Sequence, residues 1–275
     1  MKLTVGVISS EEAEYFASSG ADELYCGING VSNHRDPSKN LAGLGELATV
    51  LKHAHRNGKP AYLAVNEIYP ESEYGRIHRT IKAALAAGLD GVIMRDLGLK
   101  AFLDSRRIRT YYILSSLGAC FNGRALEFYA GRGFSRVVLP QQLTPGEAGP
   151  ILKNRFGVEA EVFLHLHCYC INMDGVCFLH DLDGLGGTKR TYPCFLKYDA
   201  GDGAFLMPEP EKKLFLEMFY DYYKGGAAYL KIARDANSLK EKARTVASAR
   251  RLLSLAGGAP DRGSFLRRAL KASHA

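Results

Sequence analysis

The chain has 275 residues, 47% of them apolar and 24% charged, and a net charge of +7. This is the composition of an ordinary globular protein, long enough to bury a large core. No apolar stretch approaches the roughly 20 residues that a membrane-spanning helix needs, and the opening MKLTVGVISSEE lacks the layout of a signal peptide. A cytoplasmic protein without a membrane span is expected.

Short β-branched or aliphatic runs alternate with longer amphipathic segments, the pattern of parallel strands joined by crossover helices. Strand one is Leu3 to Ile8, and Ser9 with Glu12 forms a capping box that opens helix one. Strand two is Glu23 to Gly27, followed by a long loop through Asn33, His34 and Arg35. Helix two runs from Leu44 to Asn57, strand three from Ala61 to Asn66, and helix three from Glu71 to Ala87. Gly91 to Asp96 is strand four and Leu97 to Ser105 its helix; Thr110 to Ser115 is strand five and Arg124 to Ala130 its helix. Arg136 to Pro140 is strand six, with Pro145 in the first turn of the next helix. Glu159 to His165 is strand seven. Residues 166–210 break the rhythm with Cys, Gly, Asp and Pro; Glu211 to Tyr223 is then helical, Tyr229 to Ala233 is strand eight, and Leu239 to Leu255 closes the series.

Eight such pairs predict an α/β fold, a (β/α)8 TIM-like barrel with a cysteine-rich insertion after strand seven. The alternative, an open doubly wound sheet, lacks a glycine-rich fingerprint after strand one. The expected organisation is one barrel domain over residues 1–260, with the insertion at 166–210, and a basic tail over 261–275. Residues 237–275 hold nine Lys or Arg against Glu241 and Asp261, which accounts for the whole charge excess. Such a segment can attract nucleic acid, but without interleaved aromatic residues it reads better as a solvated helix with a frayed end.

In a parallel barrel, the residues at strand ends meet on one face. The candidates are Cys26, Asn66, Asp96, Ser115, Ser116, Gln141, Gln142, His165, His167, Arg234 and Asp235. Together they describe a polar pocket for a small anionic molecule, with Arg234 as the anion clamp, Asn66 and Ser115 binding substrate, and Asp96 and His165 as catalytic candidates.

Six cysteines in a reducing compartment point to metal or catalysis before disulfides. Four of them, Cys168, Cys170, Cys177 and Cys194, fall within 27 residues. Soft thiolates at this density suit an iron–sulfur cluster or zinc; the spacing matches neither a zinc ribbon nor a ferredoxin run.

Several short motifs in order carry a resemblance that spans most of the chain. They are Gly20-Ala-Asp-Glu-Leu-Tyr-Cys-Gly, Asp96-Leu-Gly-Leu, Ser115-Ser116 with Asn122 downstream, Val138-Leu-Pro-Gln-Gln-Leu-Thr, Val162-Phe-Leu-His and Leu230-Lys-Ile. In these the chain resembles the collagenase-like peptidase family, peptidase family U32. The resemblance implies a [4Fe-4S] cluster on Cys170, Cys177 and Cys194. It also implies oxygen-independent hydroxylation of a small aromatic or nucleotide substrate, prephenate as oxygen donor, and a related barrel subunit as heterodimer partner. Tyr198 stands where many members carry a fourth cysteine, so the fourth ligand is expected from Cys26 or Cys168 or from outside the chain; Cys26 is preferred because the end of strand two can face the mouth. Two alternatives stand beside this: a non-catalytic subunit that holds a cluster for a partner, and peptide hydrolysis, which the family name suggests but which finds no Ser/His/Asp order and no HExxH motif here.

Overall fold

The computed structural model describes residues 1–33, 35–164, 197–199, 204–206, 211–234 and 238–272. Eight parallel strands form a closed barrel: β1 (Lys2–Gly6), β2 (Glu23–Cys26), β3 (Ala61–Val65), β4 (Gly91–Met94), β5 (Tyr111–Leu114), β6 (Phe134–Val138), β7 (Glu159–Phe163) and β10 (Tyr229–Ile232). The last strand returns to the first, Lys2 pairing with Tyr229 and Val5 with Ile232, which leaves no open edge. Around them lie α1 (Ser10–Ser18), α2 (Leu44–Arg56), α3 (Glu71–Ala86), α4 (Leu97–Ser105), α5 (Gly123–Ala130), the one-turn α6 (Gly149–Leu152), α7 (Lys212–Gly225), α8 (Leu239–Gly257) and α9 (Arg262–Ala272). Between β7 and α7, a short antiparallel hairpin pairs β8 (Lys197–Asp199) with β9 (Ala204–Leu206). No helix among the described residues is long and apolar enough to cross a membrane.

Strand side chains alternate between two environments. Leu3, Val5, Leu24, Leu63, Val92, Leu114 and Val162 point outward and meet the apolar faces of the helices in one large core. Tyr25, Tyr62, Ile93, Ile113 and Val138 point inward and form a separate cluster inside the barrel. The cap is present with its return bond shifted by one residue: Glu12 N donates to Ser9 Oγ at 3.2 Å, and Glu12 Oε2 accepts from Ile8 N, just before the N-cap, at 3.0 Å. The same carboxylate receives the fully buried Lys242 Nζ at 2.6 Å, and Nζ also donates to Gly6 O at 3.0 Å. One glutamate therefore starts the first helix and fastens α8 against the first strand.

Two expectations change. Strand six begins at Phe134, whose ring is buried beside Tyr112, and a register irregularity at Tyr112/Ile113 absorbs the earlier start. The following helix starts at Gly149, with Pro150 rather than Pro145 in its first turn. Residues 262–272 of the basic tail are helical, and Phe265 is fully buried, its ring stacked on Phe219 at 5.9 Å and on Tyr220 at 5.1 Å. Arg267, Arg268 and Lys271 stay exposed on the other face, so α9 is an amphipathic helix seated on α7. Phe265→Ala is expected to destabilise the chain by about 3–5 kcal/mol; a denaturation midpoint equal to that of the parent would show that α9 contributes nothing to the fold.

Candidate active site at the barrel mouth

The barrel interior carries four charges that an apolar core would not tolerate singly. Arg136 from β6 forms a two-pronged pair with Glu23 from β2, one prong joining Nη2 to Oε2 at 3.0 Å, and its Nη1 lies 3.5 Å from Glu161 Oε2. Lys231 from β10 closes the set, its Nζ 2.9 Å from Glu161 Oε1, and Thr4 Oγ1 donates to Glu23 Oε1 at 2.6 Å. Two acids balance two bases. Aromatic faces line the cations: the Arg136 guanidinium lies 3.4 Å from the Tyr229 ring centre, and Lys231 Nζ lies 3.8 Å from that of Tyr25. Burial opposes ionisation of Glu161, yet Lys231 and Arg136 together hold its carboxyl below the ordinary value. Burial likewise draws the Lys231 ammonium below the usual lysine range, against the attraction of Glu161.

Above this layer opens a cavity of about 90 Å³, with Lys231 and Tyr25 on its wall and Asn33, Asn66, Ser115 and Arg234 around it. Arg35, Ser116 and Gln141 line it as well. The structure thus brings together Asn66, Ser115 and Arg234, three residues expected at the mouth from their places at strand ends. Arg234 is 2% exposed, and its guanidinium donates to Lys39 O at 3.0 Å, Asn40 Oδ1 at 2.7 Å and Asn33 Oδ1 at 2.9 Å. It therefore ties the loop after β2 to the end of β10 and brings positive charge to the mouth. Two glycines make room for it. A Cβ on Gly6 would lie 2.6 Å from Arg234 Cγ, and one on Gly27 would lie 2.4 Å from Nη1. Asn66 Nδ2 donates to Ser115 Oγ at 3.3 Å, while the buried Asn66 Oδ1 has no hydrogen-bond partner among the described residues. A buried acceptor in that state is suited to a donor brought by a ligand.

Asp96 is placed otherwise. It caps α4, accepting from Leu99 N at 3.0 Å, and it also accepts from Tyr69 N at 3.0 Å and Tyr74 OH at 3.2 Å. With its lone pairs so occupied it positions the loop after β3, and it is absent from the cavity wall. Cys26 does not face the mouth. Strand alternation turns Tyr25 inward and Cys26 outward, where its thiol is wholly buried in the helix-side core 3.8 Å from Tyr62 O. Burial pushes the Cys26 thiol up to about 12 and does the same to Cys120, which rules against either as a ready thiolate. His165, His167, Cys168, Cys170, Cys177, Cys194 and Asp235 lie outside the described residues. Among the described residues no group of three or more His, Cys, Asp or Glu is arranged to hold a metal ion.

Glu23, Arg136, Glu161 and Lys231 were not foreseen as a unit, nor Tyr25 as a wall of the cavity. The signal was available: ELYC, FSRVV and YLKI each hold a single charge in an otherwise apolar or uncharged strand, and EAEVF holds two, Glu159 and Glu161, on the same strand face.

The sequence profile of peptidase family U32 matches residues 8–256. The chain belongs to peptidase family U32. An uncharacterized protease of Methanocaldococcus jannaschii is 30% identical over 164 residues, which make up 58% of this chain and 39% of that protein. The tRNA hydroxylation protein P of Escherichia coli is 28% identical over 197 residues, 69% of this chain and 42% of that protein. This U32 chain therefore matches well under half the length of either relative. Among solved structures, dihydrodipicolinate synthase from Bacillus clausii superposes with a TM-score of 0.52 at 9% identity, covering 98% of this chain and 77% of that one, a likeness of fold alone.

Two outcomes are expected of this U32 chain. Arg136→Leu leaves Glu23 without its buried partner and costs about 3–5 kcal/mol, and adding Glu23→Leu recovers part of that loss; a double variant as unstable as the sum of the single ones would deny the coupling. Iodoacetamide at mildly alkaline pH leaves Cys26 and Cys120 unmodified in the folded chain, as peptide mapping would show; rapid labelling of either contradicts its burial.

Proposed function

We propose that this U32 chain is an iron–sulfur hydroxylase that needs no molecular oxygen and uses the barrel mouth to hold a small anionic molecule. The observation that carries the reading is the mouth itself: Arg234, Asn33, Asn66 and Ser115 converge on one cavity. The chain leaves the described barrel at Leu164, directly after β7, and enters the cysteine-rich stretch. A relative named for tRNA hydroxylation supports the reaction class.

The donor chemistry fits a cluster. Cys26 and Cys120 are buried neutral thiols, which leaves Cys168, Cys170, Cys177 and Cys194 as four sulfur donors, the number a [4Fe-4S] cluster requires. When bound, such a cluster supplies one-electron redox chemistry. The described residues have separate tasks. Arg234 attracts a carboxylate, Asn66 Oδ1 accepts a hydrogen bond from a ligand hydroxyl, and Ser115 holds the Asn66 amide in place. Prephenate, a dicarboxylate with a hydroxyl group, matches that set as oxygen donor. A nucleotide in RNA or a small aromatic ring is the acceptor class.

Chain purified without oxygen is expected to contain iron and acid-labile sulfide in equal amounts. Cys168→Ala, Cys170→Ala, Cys177→Ala and Cys194→Ala should each lose most of both, and Cys26→Ala should keep them. Zinc without sulfide, or loss of iron on Cys26→Ala, would overturn the assignment.

A further inference from the structure

A buried lysine at the wall of a cavity, beside a carboxylate and below a guanidinium, is an arrangement that salt-bridge stability alone does not call for. Lys231 is 5% exposed, and its Nζ lies 2.9 Å from Glu161 Oε1. It also lines the cavity that holds Asn66, Ser115 and Arg234. Lys231 Nζ and the Arg234 guanidinium both stand against the Tyr25 ring, at 3.8 Å and 5.8 Å from its centre. A molecule that places a carboxylate toward Arg234 and a carbonyl carbon toward Lys231 would lie along that ring.

Resting on the reading of the mouth as a small-anion pocket, we propose that Lys231 forms an imine with the carbonyl carbon of a small oxo acid bound there. One ammonium proton passes from Lys231 to the carbonyl oxygen as the freed amine attacks the carbonyl carbon, the C–N bond forming as the C=O π bond breaks, while Glu161 stays a carboxylate 2.9 Å from the nitrogen. A second nitrogen proton then moves to that oxygen, the C–O bond breaks with loss of water, and the nitrogen lone pair completes the C=N bond. The ammonium and the carbonyl compound thus become one protonated imine and one water, with no oxidant or reductant consumed.

Two features of the surroundings favour this use of the amine. Desolvation and a neighbouring cation both make a lysine easier to deprotonate; at Lys231 burial in the barrel wall outweighs the opposing attraction of Glu161 and Glu23, with a smaller contribution from Arg136. Asn66 Oδ1 and Ser115 stand on the same wall to meet the oxygen that leaves.

The test uses the full chain, prepared without oxygen, with pyruvate or glyoxylate as probe and sodium cyanoborohydride to reduce any imine to a stable secondary amine. Peptide mapping should find the reduced adduct on Lys231 ahead of every other lysine, and Lys231→Arg, which keeps the charge opposite Glu161, should lose it while melting cooperatively. An adduct spread over surface lysines, or one that persists in Lys231→Arg, overturns the proposal. The site found in the parent chain decides the matter even if the variant does not fold. Calorimetric titration with pyruvate and with lactate separates the two readings. Binding of both without an adduct overturns the imine and leaves the anion pocket standing, and binding of neither overturns both.

Discussion

Two carboxylates and two cations meet inside the barrel, in a volume where each alone would carry a desolvation penalty of several kcal/mol. Glu23, Arg136, Glu161 and Lys231 come from β2, β6, β7 and β10, and each owes its orientation to the inward phase of its strand. The arrangement is therefore a register device as well as a charge balance. A slip of one residue in any of these strands would turn its charge outward into the apolar layer beneath the helices, and leave a partner uncompensated. Because the network spans the barrel from β2 to β6, it couples strands that share no backbone hydrogen bonds. It also sets the floor of the cavity, since Lys231 belongs to both.

The mouth is a consequence of that floor and of what the strand ends permit. Gly6 and Gly27 leave the space in which Arg234 lies across the ends of β1 and β2. Arg234 in turn holds Asn33 and Asn40, so the long loop after β2 is tied to the last barrel strand. Asp96 does the same service for the loop after β3 through Tyr69 and for the first turn of α3 through Tyr74. The loops around the candidate site are thus cross-tied by buried side-chain hydrogen bonds, which is what a pre-formed pocket for a small polar ligand requires.

Most of the fold was legible because hydrophobic periodicity and helix punctuation report local structure. The strand and helix boundaries of the first four units agree with the structure to within two residues at each end. Strand six was placed two residues late, at Arg136, because the polar Ser135 interrupts the apolar run after Phe134. The site was legible by type and position at Asn66, Ser115 and Arg234. It was not legible at Lys231 and Glu161, since a charge inside an apolar strand is explained only by the charge it faces. Cys26 and Asp96 show the opposite error: a strand-end position puts a residue near the mouth, but alternation decides whether it enters it.

From membership of family U32 and the arrangement of the mouth, we propose as the central claim that a four-cysteine iron–sulfur centre and a small-anion pocket share this face of the barrel. The most direct measurement is anomalous diffraction at the iron edge from crystals grown without oxygen. The account predicts one iron peak resolved into a cluster bound by Cys168, Cys170, Cys177 and Cys194, on the side of the barrel where Asn66, Ser115 and Arg234 converge, with the Cys26 sulfur remote from it. An iron peak ligated by Cys26, a peak at the opposite end of the barrel, or zinc in place of iron would contradict it.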